Sequence, residues 1–153
     1  MSSSVLPVSV RAPGEEGLAC PLKFRFCLPG SDPDAPLTFV TLSASTDRQT
    51  LLLTFCCFET FPRPRDYFLV DLGEENPLSI RFSCDSAQLP DGVTLSRDGG
   101  ENLEGVFWGA QLSVPLSLLP ALQGLAVQLR YCRGSSASSP FPDGKGQLQL
   151  YGK

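Results

Sequence analysis

Three features of this 153-residue sequence predict an all-β fold, an antiparallel β-sandwich of jelly-roll type. Apolar and polar residues alternate with a period of two in several segments, as they do in strands that are buried on one face. Clusters of Gly, Pro, Asp and Ser separate these segments at intervals of about 8 to 12 residues, a spacing typical of sandwiches. Only one segment resembles a helix. We therefore expect about ten short strands and one short helical turn.

The alternation is clearest in three segments, PLKFRFCL (21–28), PLSIRFSC (77–84) and GLAVQLRYC (124–132). Each places a large apolar residue at every second position. Further strands are predicted at Ser4–Val10, Leu37–Ser43, Thr50–Phe58, Tyr67–Asp71, Val93–Ser96, Val106–Val114 and Gln147–Tyr151. The clusters RDGGEN (97–102) and GSSASSPFPDGKG (134–146) have the composition of turns and of a flexible loop.

The segment FWGAQLSVPLSLLPAL (107–122) combines a strand with the predicted helical turn. Trp108 shares one strand face with Ala110, Leu112 and Val114, so we expect its ring to lie in the core. Pro115 suits the first turn of a helix, because the N–H that it lacks would be unpaired there. Helical spacing then predicts that three leucines cover one end of the sandwich: Leu116, either Leu118 or Leu119, and Leu122.

A second informative stretch is TFCCFETFPRPRD (54–66), in which two adjacent cysteines precede a Pro-Arg-Pro-Arg sequence. Both faces of Thr50–Phe58 carry apolar residues, which predicts a central strand covered on both sides. Pro62 and Pro64 cannot donate ladder hydrogen bonds, so strand pairing should end before them. The arginines that follow these prolines would project from an extended turn. This turn is either solvated, with local ion pairs, or the rim of a binding site.

Composition excludes several classes of function. The chain is expected to form a single domain, residues 1–153, and it carries 12 basic against 16 acidic residues, a net charge of −4 that disfavours nucleic acid as a partner. Histidine is absent, which removes Ser-His-Asp and Cys-His catalysis and the usual imidazole metal sites. No apolar run approaches the roughly 18 to 20 residues that span a membrane, and no export signal is apparent. We expect a soluble, cytoplasmic protein with no membrane contact.

The six cysteines are even in number, which would permit a disulfide framework. Most of them lie within strand-like runs, where a free cysteine behaves as a small buried apolar residue. We therefore expect reduced thiols, with disulfides and metal ligation as the alternatives. The acidic clusters SDPDAP, DLGEEN and RDGGEN are short and lack calcium-loop spacing, so neither a metal nor another cofactor is predicted.

Three pieces in order resemble the family 9 carbohydrate-binding modules and their DOMON-like relatives. They are the strand that runs into Glu and Pro-Arg (51–71), the strand PLSIRFSC, and the strand FWGAQLSV followed by a Pro-initiated turn. The resemblance covers roughly residues 37 to 122 and implies a β-sandwich that binds a sugar. Sugar-binding members use exposed Trp residues; here Trp108 is the one Trp of the chain, and its position is structural.

Two hypotheses for function remain open at this point. The first is a non-catalytic module that binds a saccharide at a loop edge, where arginine forks bind hydroxyls or carboxylates and aromatic rings pack on sugars. Its predicted contacts are Glu59, Phe61, Arg63, Arg65, Asp66, Tyr67 and Arg81. The second is a structural or protein-interaction sandwich, in which Phe61, Phe141 and Tyr151 anchor a protein partner or a second copy of the chain in a homodimer. No spacing of carboxylates selects a catalytic pair, so an enzyme is not predicted.

Overall fold

The computed structural model describes residues 5–10, 22–26, 38–58, 65–102, 105–133, 136–137 and 141–151. Within these residues the all-β prediction is confirmed, and every predicted strand is present. The strands are β1 (Val5–Val10), β2 (Leu22–Phe26), β3 (Thr38–Thr46), β4 (Thr50–Phe58), β5 (Tyr67–Leu72), β6 (Leu78–Phe82), β7 (Ala87–Gln88), β8 (Thr94–Asn102), β9 (Gly105–Pro115), β10 (Ala126–Arg133), β11 (Ser136–Ala137) and β12 (Phe141–Tyr151). No helix in this part of the chain is long and apolar enough to cross a membrane.

The strands form two layers that pack face to face. The first layer has the order β7-β6-β5-β10-β12, with β11 paired to β10, and the second has the order β3-β4-β9-β8, with β2 paired to β3. Strand β1 lies between β12 and β3 and pairs with both in parallel, whereas the other described pairs are antiparallel. Because β1 contributes hydrogen bonds to each layer, it closes the sandwich along one side.

Alternation in β4 decides which side chains form the core. Leu51, Leu53, Phe55 and Cys57 are buried, while the residues between them are only half-buried. The strand is central, between β3 and β9, as expected. On the other face, which was also predicted to be covered, the β4 residues are half-buried.

Aromatic rings fill the space between the layers at one end of the core. Phe68 of β5 lies at the centre of this group, with ring-centroid distances of 5.7 Å to Phe55, 5.3 Å to Phe82, 5.9 Å to Trp108 and 4.9 Å to Tyr131. Phe55 and Trp108 belong to the second layer, so these contacts join the two layers directly. Trp108 is 9% exposed, which confirms its predicted place in the core.

The predicted helical turn is shorter than expected. Only Leu116–Leu118 forms a 3₁₀ turn, and Leu119 is already extended, with φ −117° and ψ 144°. The cause is Pro120, since a residue that precedes proline is disfavoured in the helical region. Leu116, Leu119 and Leu122 pack against the core as predicted, and Leu118, which is 40% exposed, is the alternative that faces solvent.

Two segments predicted as turns belong to strands. Residues 97–102 (RDGGEN) lie in β8, which pairs continuously with β9 from Thr94 opposite Ser113 to Asn102 opposite Gly105. In the loop predicted at 134–146, Phe141 and the residues that follow it start β12. Val127 pairs with Gly146 but Leu129 with Phe141, so extra residues of β12 are absorbed by an irregularity. Ladder pairing thus overrides the turn propensity of both segments.

The cysteine pair of β4 offers a test of its alternation. Cys57 is 1% exposed, whereas Cys56 is half-buried on the outer face. A carboxylate at position 57 would be buried without a partner, so Cys57→Asp should lower the free energy of unfolding by about 3 kcal/mol or more. The matched change Cys56→Asp should cost about 1 kcal/mol, an ordinary value for a surface-facing position. Urea unfolding of both variants measures the difference, and equal losses would contradict the assignment of faces.

Trp108 gives a second test, because it is the single tryptophan of the chain. Trp108→Ala should lower the free energy of unfolding by about 3 to 5 kcal/mol, the usual range for a large buried aromatic residue. Trp108→Phe keeps a ring beside Phe68 and should cost clearly less. Native fluorescence should be blue-shifted and poorly quenched by acrylamide. A red-shifted, readily quenched signal would place the ring in water.

Candidate functional site

The predicted loop edge is partly included in the described residues. Glu59, Phe61 and Arg63 lie outside them. Of the predicted contacts, the structure describes Arg65, Asp66, Tyr67 and Arg81. Arg65 precedes β5 and is exposed, Tyr67 begins β5 and is half-buried, and Arg81 is exposed on β6. The apolar contacts of the alternative protein-interaction hypothesis, Phe61, Phe141 and Tyr151, are not among the described side chains.

The register of β5 and β6 brings Arg81 to Tyr67. Leu69 is the residue directly opposite Arg81, so Tyr67 is its diagonal neighbour on the same face of the sheet. The guanidinium carbon of Arg81 lies 3.7 Å from the centre of the Tyr67 ring. This is a cation–π contact, and it holds the arginine side chain over one face of the ring.

Three of the predicted contacts, Arg65, Tyr67 and Arg81, line one cleft at the β5-β6-β7 end of the first layer. The cleft has a volume of about 420 Å³, which lies in the range of roughly 300 to 1,000 Å³ that small-ligand sites occupy. Its lining residues are Arg65, Tyr67, Arg81, Phe82, Ser83, Ser86, Ala87 and Gln88. The walls therefore offer guanidinium, hydroxyl and amide groups beside a small apolar area.

Asp66, the fourth of these predicted contacts, points to the core side. It is only 5% exposed and accepts a hydrogen bond of 2.9 Å from the hydroxyl of Tyr131, which is itself buried. A buried carboxylate and a buried phenol need such a partner, because an unpaired polar group in the core is costly. In the structure Asp66 thus fixes the start of β5 against β10, and contact with a ligand stays a prediction for this residue.

A serine-rich turn forms the far wall of the cleft. The Ser83 hydroxyl is buried and lies 3.0 Å from a carboxylate oxygen of Asp85 and 2.8 Å from the Ser86 hydroxyl. It also accepts a hydrogen bond of 3.1 Å from the backbone N–H of Ser86. These bonds fix the conformation of the turn. Sequence analysis did not assign Ser83, Ser86 or Gln88 to a site, although a Ser-Cys-Asp-Ser sequence after a strand is a turn signal.

Arg97 supports this turn from the opposite layer. Its guanidinium donates to the backbone carbonyl of Ser83 at 3.0 Å and to that of Ser86 at 2.6 Å. Arg97 belongs to β8, within the segment that composition alone marked as a turn. Because residues 97–102 form part of an edge strand, the Arg97 side chain is placed where it can bind the serine turn of the other layer. Strand pairing of this segment therefore stabilises one side of the cleft.

The phenol of Tyr67 is stabilised in its neutral form. A side-chain hydrogen bond with Cys132, together with partial burial, raises the pKa of Tyr67 above its ordinary value, and the nearby Arg81 offsets part of this increase. Tyr67 and Cys132 are cross-strand partners in β5 and β10, which explains their contact. At neutral pH the site therefore presents a hydroxyl and not a phenolate.

Three described carboxylates of the first layer accept hydrogen bonds from hydroxyl groups. Asp71 accepts from Ser79 at 2.6 Å, and Asp85 accepts from Ser83. Asp66 accepts from Tyr131. Among the described residues no group of three or more Asp, Glu, Cys or His is placed to hold a metal ion. The groups that line the cleft can form hydrogen bonds and charge pairs.

Comparison of the sequence with protein-family models and with curated proteins gives no match. Solved structures do resemble the fold. A family 9 carbohydrate-binding module from Caldicellulosiruptor kristjanssonii in complex with glucose has a TM-score of 0.65 at 11% identity, with 98% of this chain and 97% of that chain covered. The structure of a family 9 module from the same organism in complex with cellotriose has a TM-score of 0.62 at 12% identity, with 98% and 96% covered.

A third similar structure is a proposed carbohydrate-binding protein from Bacteroides uniformis. Its TM-score is 0.63 at 13% identity, and the match covers 98% of this chain and all of the other. Identities this low carry information about the fold alone. The resemblance found in the sequence is thus confirmed for the architecture: the chain has the fold of the family 9 carbohydrate-binding modules.

Proposed function

We propose that this protein is a non-catalytic binding module and that a saccharide binds in the cleft between Arg65, Tyr67, Arg81 and the turn at 83–88. The observation that supports this most directly is the cleft itself, in which two arginines, a tyrosine, two serines and a glutamine converge. Such a set of donors and acceptors suits a ligand rich in hydroxyl groups. The shared fold with modules solved in complex with glucose and cellotriose supports the same class of ligand.

Each wall of the cleft has a distinct role in this proposal. The planar guanidinium groups of Arg65 and Arg81 donate to adjacent ligand oxygens, as their fork geometry favours. Ser86 and Gln88, both exposed, donate and accept beside them, and Gln88 is the cross-strand partner of Arg81. Ala87, which is also exposed, contributes apolar area, whereas Phe82 borders the cleft with its ring in the core. Donors and acceptors at several fixed positions would set the orientation of a sugar residue.

The cleft is held in shape before any ligand arrives. Arg97 and the Ser83 hydroxyl fix the serine turn, and the Tyr67 ring supports Arg81. Side chains that are ordered in advance lose less entropy on binding, so preorganisation favours affinity. Asp66, Asp71 and Asp85 each accept a hydrogen bond from a hydroxyl group of the fold, a structural use of these carboxylates that accords with a binding role.

The proposal predicts that binding and stability respond differently to loss of the arginines. The double variant Arg65→Ala/Arg81→Ala should lose binding to every glycan that the unchanged protein retains on a glycan microarray. Its Tm should fall by no more than about 3 °C, because exposed charges and one cation–π contact contribute little to stability.

Arg48→Ala is the control, and it is matched to the two single variants Arg65→Ala and Arg81→Ala, which are measured beside the double variant. Arg48 is exposed in the β3–β4 turn and does not line the cleft, so its loss removes one positive charge elsewhere. This variant should keep the binding pattern of the unchanged protein. Equal losses in both variants, or binding that survives the double change, would count against the cleft as the site.

A pH experiment tests the state of Tyr67. Since its pKa is raised in the folded protein, the unfolded chain loses the phenolic proton first as pH rises past the ordinary value. Tyr67 therefore contributes stability at neutral pH that is lost as the pH approaches its folded pKa. In ¹³C-tyrosine NMR its resonance should titrate above the ordinary range, and Cys132→Ala should move that titration down. A native Tyr67 that titrates below the ordinary range would refute this account.

A further inference from the structure

We infer that the saccharide bound in this cleft is acidic and carries a carboxylate, as a uronic acid residue does. This inference rests on the proposed function and specifies the ligand class for the same site. Two observations support it: the arginines that line the cleft, and the face of the Tyr67 ring that Arg81 covers.

Positive charge predominates among the described residues of the cleft. Arg65 and Arg81 both belong to the lining, and no Asp or Glu is among the described residues that form it. Arg81 contacts the Tyr67 ring, which is an uncharged partner. The chain as a whole has a net charge of −4, so the cleft is a basic region on an acidic protein. A ligand carboxylate would neutralise charge that no carboxylate of the described lining balances.

The nearest acidic side chains are committed to other partners. The carboxylate of Asp66 is buried and receives the Tyr131 hydroxyl, and that of Asp85 is bonded to Ser83 in the serine turn. A change of rotamer that brought Asp66 to Arg65 would leave Tyr131 without this bond in the core. Neither of these two described carboxylates is therefore directed at the arginines of the cleft.

The Tyr67 ring is not available as a platform for a neutral sugar on the side that Arg81 occupies. At 3.7 Å from the ring centre, the guanidinium is in contact with that face and leaves no room for a pyranose. Stacking on an exposed aromatic face is a major source of affinity for an uncharged sugar ring. With this face covered, hydrogen bonds from the arginines are the strongest interactions that the cleft offers, and they are strongest when the acceptor is an anion that both guanidinium N–H groups can reach.

Arg97 has a structural role that Arg65 and Arg81 do not share, and we do not propose that it contacts the ligand. Both of its recorded bonds are to backbone carbonyls of the serine turn. Its guanidinium adds positive potential near the cleft while its donors are used in the fold. An incoming carboxylate would thus be attracted by three arginines and bound by Arg65 and Arg81.

The experiment compares acidic saccharides with their neutral methyl esters and with a neutral oligosaccharide. Isothermal titration at pH 7 measures oligomers of galacturonate, glucuronate and mannuronate, the methyl ester of each, and neutral cellotriose. The inference predicts that at least one acid binds about tenfold or more tightly than its ester, since one charged hydrogen bond is worth roughly that factor. Its affinity should fall as salt is raised, because exposed charge pairs are screened.

Two variants and an acidic peptide test whether the arginines and the saccharide class account for binding. Arg81→Lys keeps the charge without the fork and should weaken the acid more than the ester, whereas Arg48→Ala should change neither. Esters or cellotriose that bind as tightly as the acids would overturn the acidic ligand and leave the proposed saccharide function intact. Failure of every saccharide would overturn both. A hexa-aspartate peptide that binds as tightly as the best uronate would overturn the saccharide class and favour an acidic protein partner.

Discussion

Packing around Phe68 is the constraint on which the rest of the structure depends. Its ring contacts aromatic residues from both layers, namely Phe55 and Trp108 on one side and Phe82 and Tyr131 on the other. Such pairs are worth about 0.5 to 1.5 kcal/mol each beyond the area that they bury. Because the contacts span the sandwich, they fix the distance and the relative position of the two layers near the cleft.

The cleft follows from this packing through strand alternation. With Phe68 turned inward, Tyr67 must face outward, where the β5–β6 register places Arg81 beside it. Tyr131, which packs on Phe68, also donates its hydroxyl to Asp66 and so fixes the residue before the strand. The core and the cleft therefore share one strand. A change in the core contacts of β5 would shift the residues that line the cleft as well.

The two layers also meet at the surface through Arg97. Its bonds to the carbonyls of Ser83 and Ser86 link an edge strand of the second layer to the turn that follows β6. The wall of the cleft thus has support from the opposite layer and does not depend on a free loop. For the proposed binding role this rigidity would be useful, because affinity would then come from groups that are already in place.

The sequence by itself determined the elements that obey a local rule. Period-two alternation located the strands and identified the buried face of β6, β9 and β10, and the single tryptophan was correctly assigned to the core. Sequence analysis also assigned Arg65, Tyr67 and Arg81 to one predicted site, and the structure brings these three residues to one cleft. The turns predicted from the glycine- and aspartate-containing segments at β8 and β12 were wrong. Composition shows a turn propensity, but it does not indicate whether a partner strand pairs with the segment.

Tertiary structure decided the features that depend on residues distant in the sequence. The partner of Asp66 is Tyr131, 65 residues away, and the support of the serine turn is Arg97, which no local pattern connects to it. The register of β5 against β6 also decides whether the face of the Tyr67 ring is exposed or covered by the Arg81 guanidinium. Alternation specifies which way a side chain points, but its neighbour is set only when strands pair and layers pack.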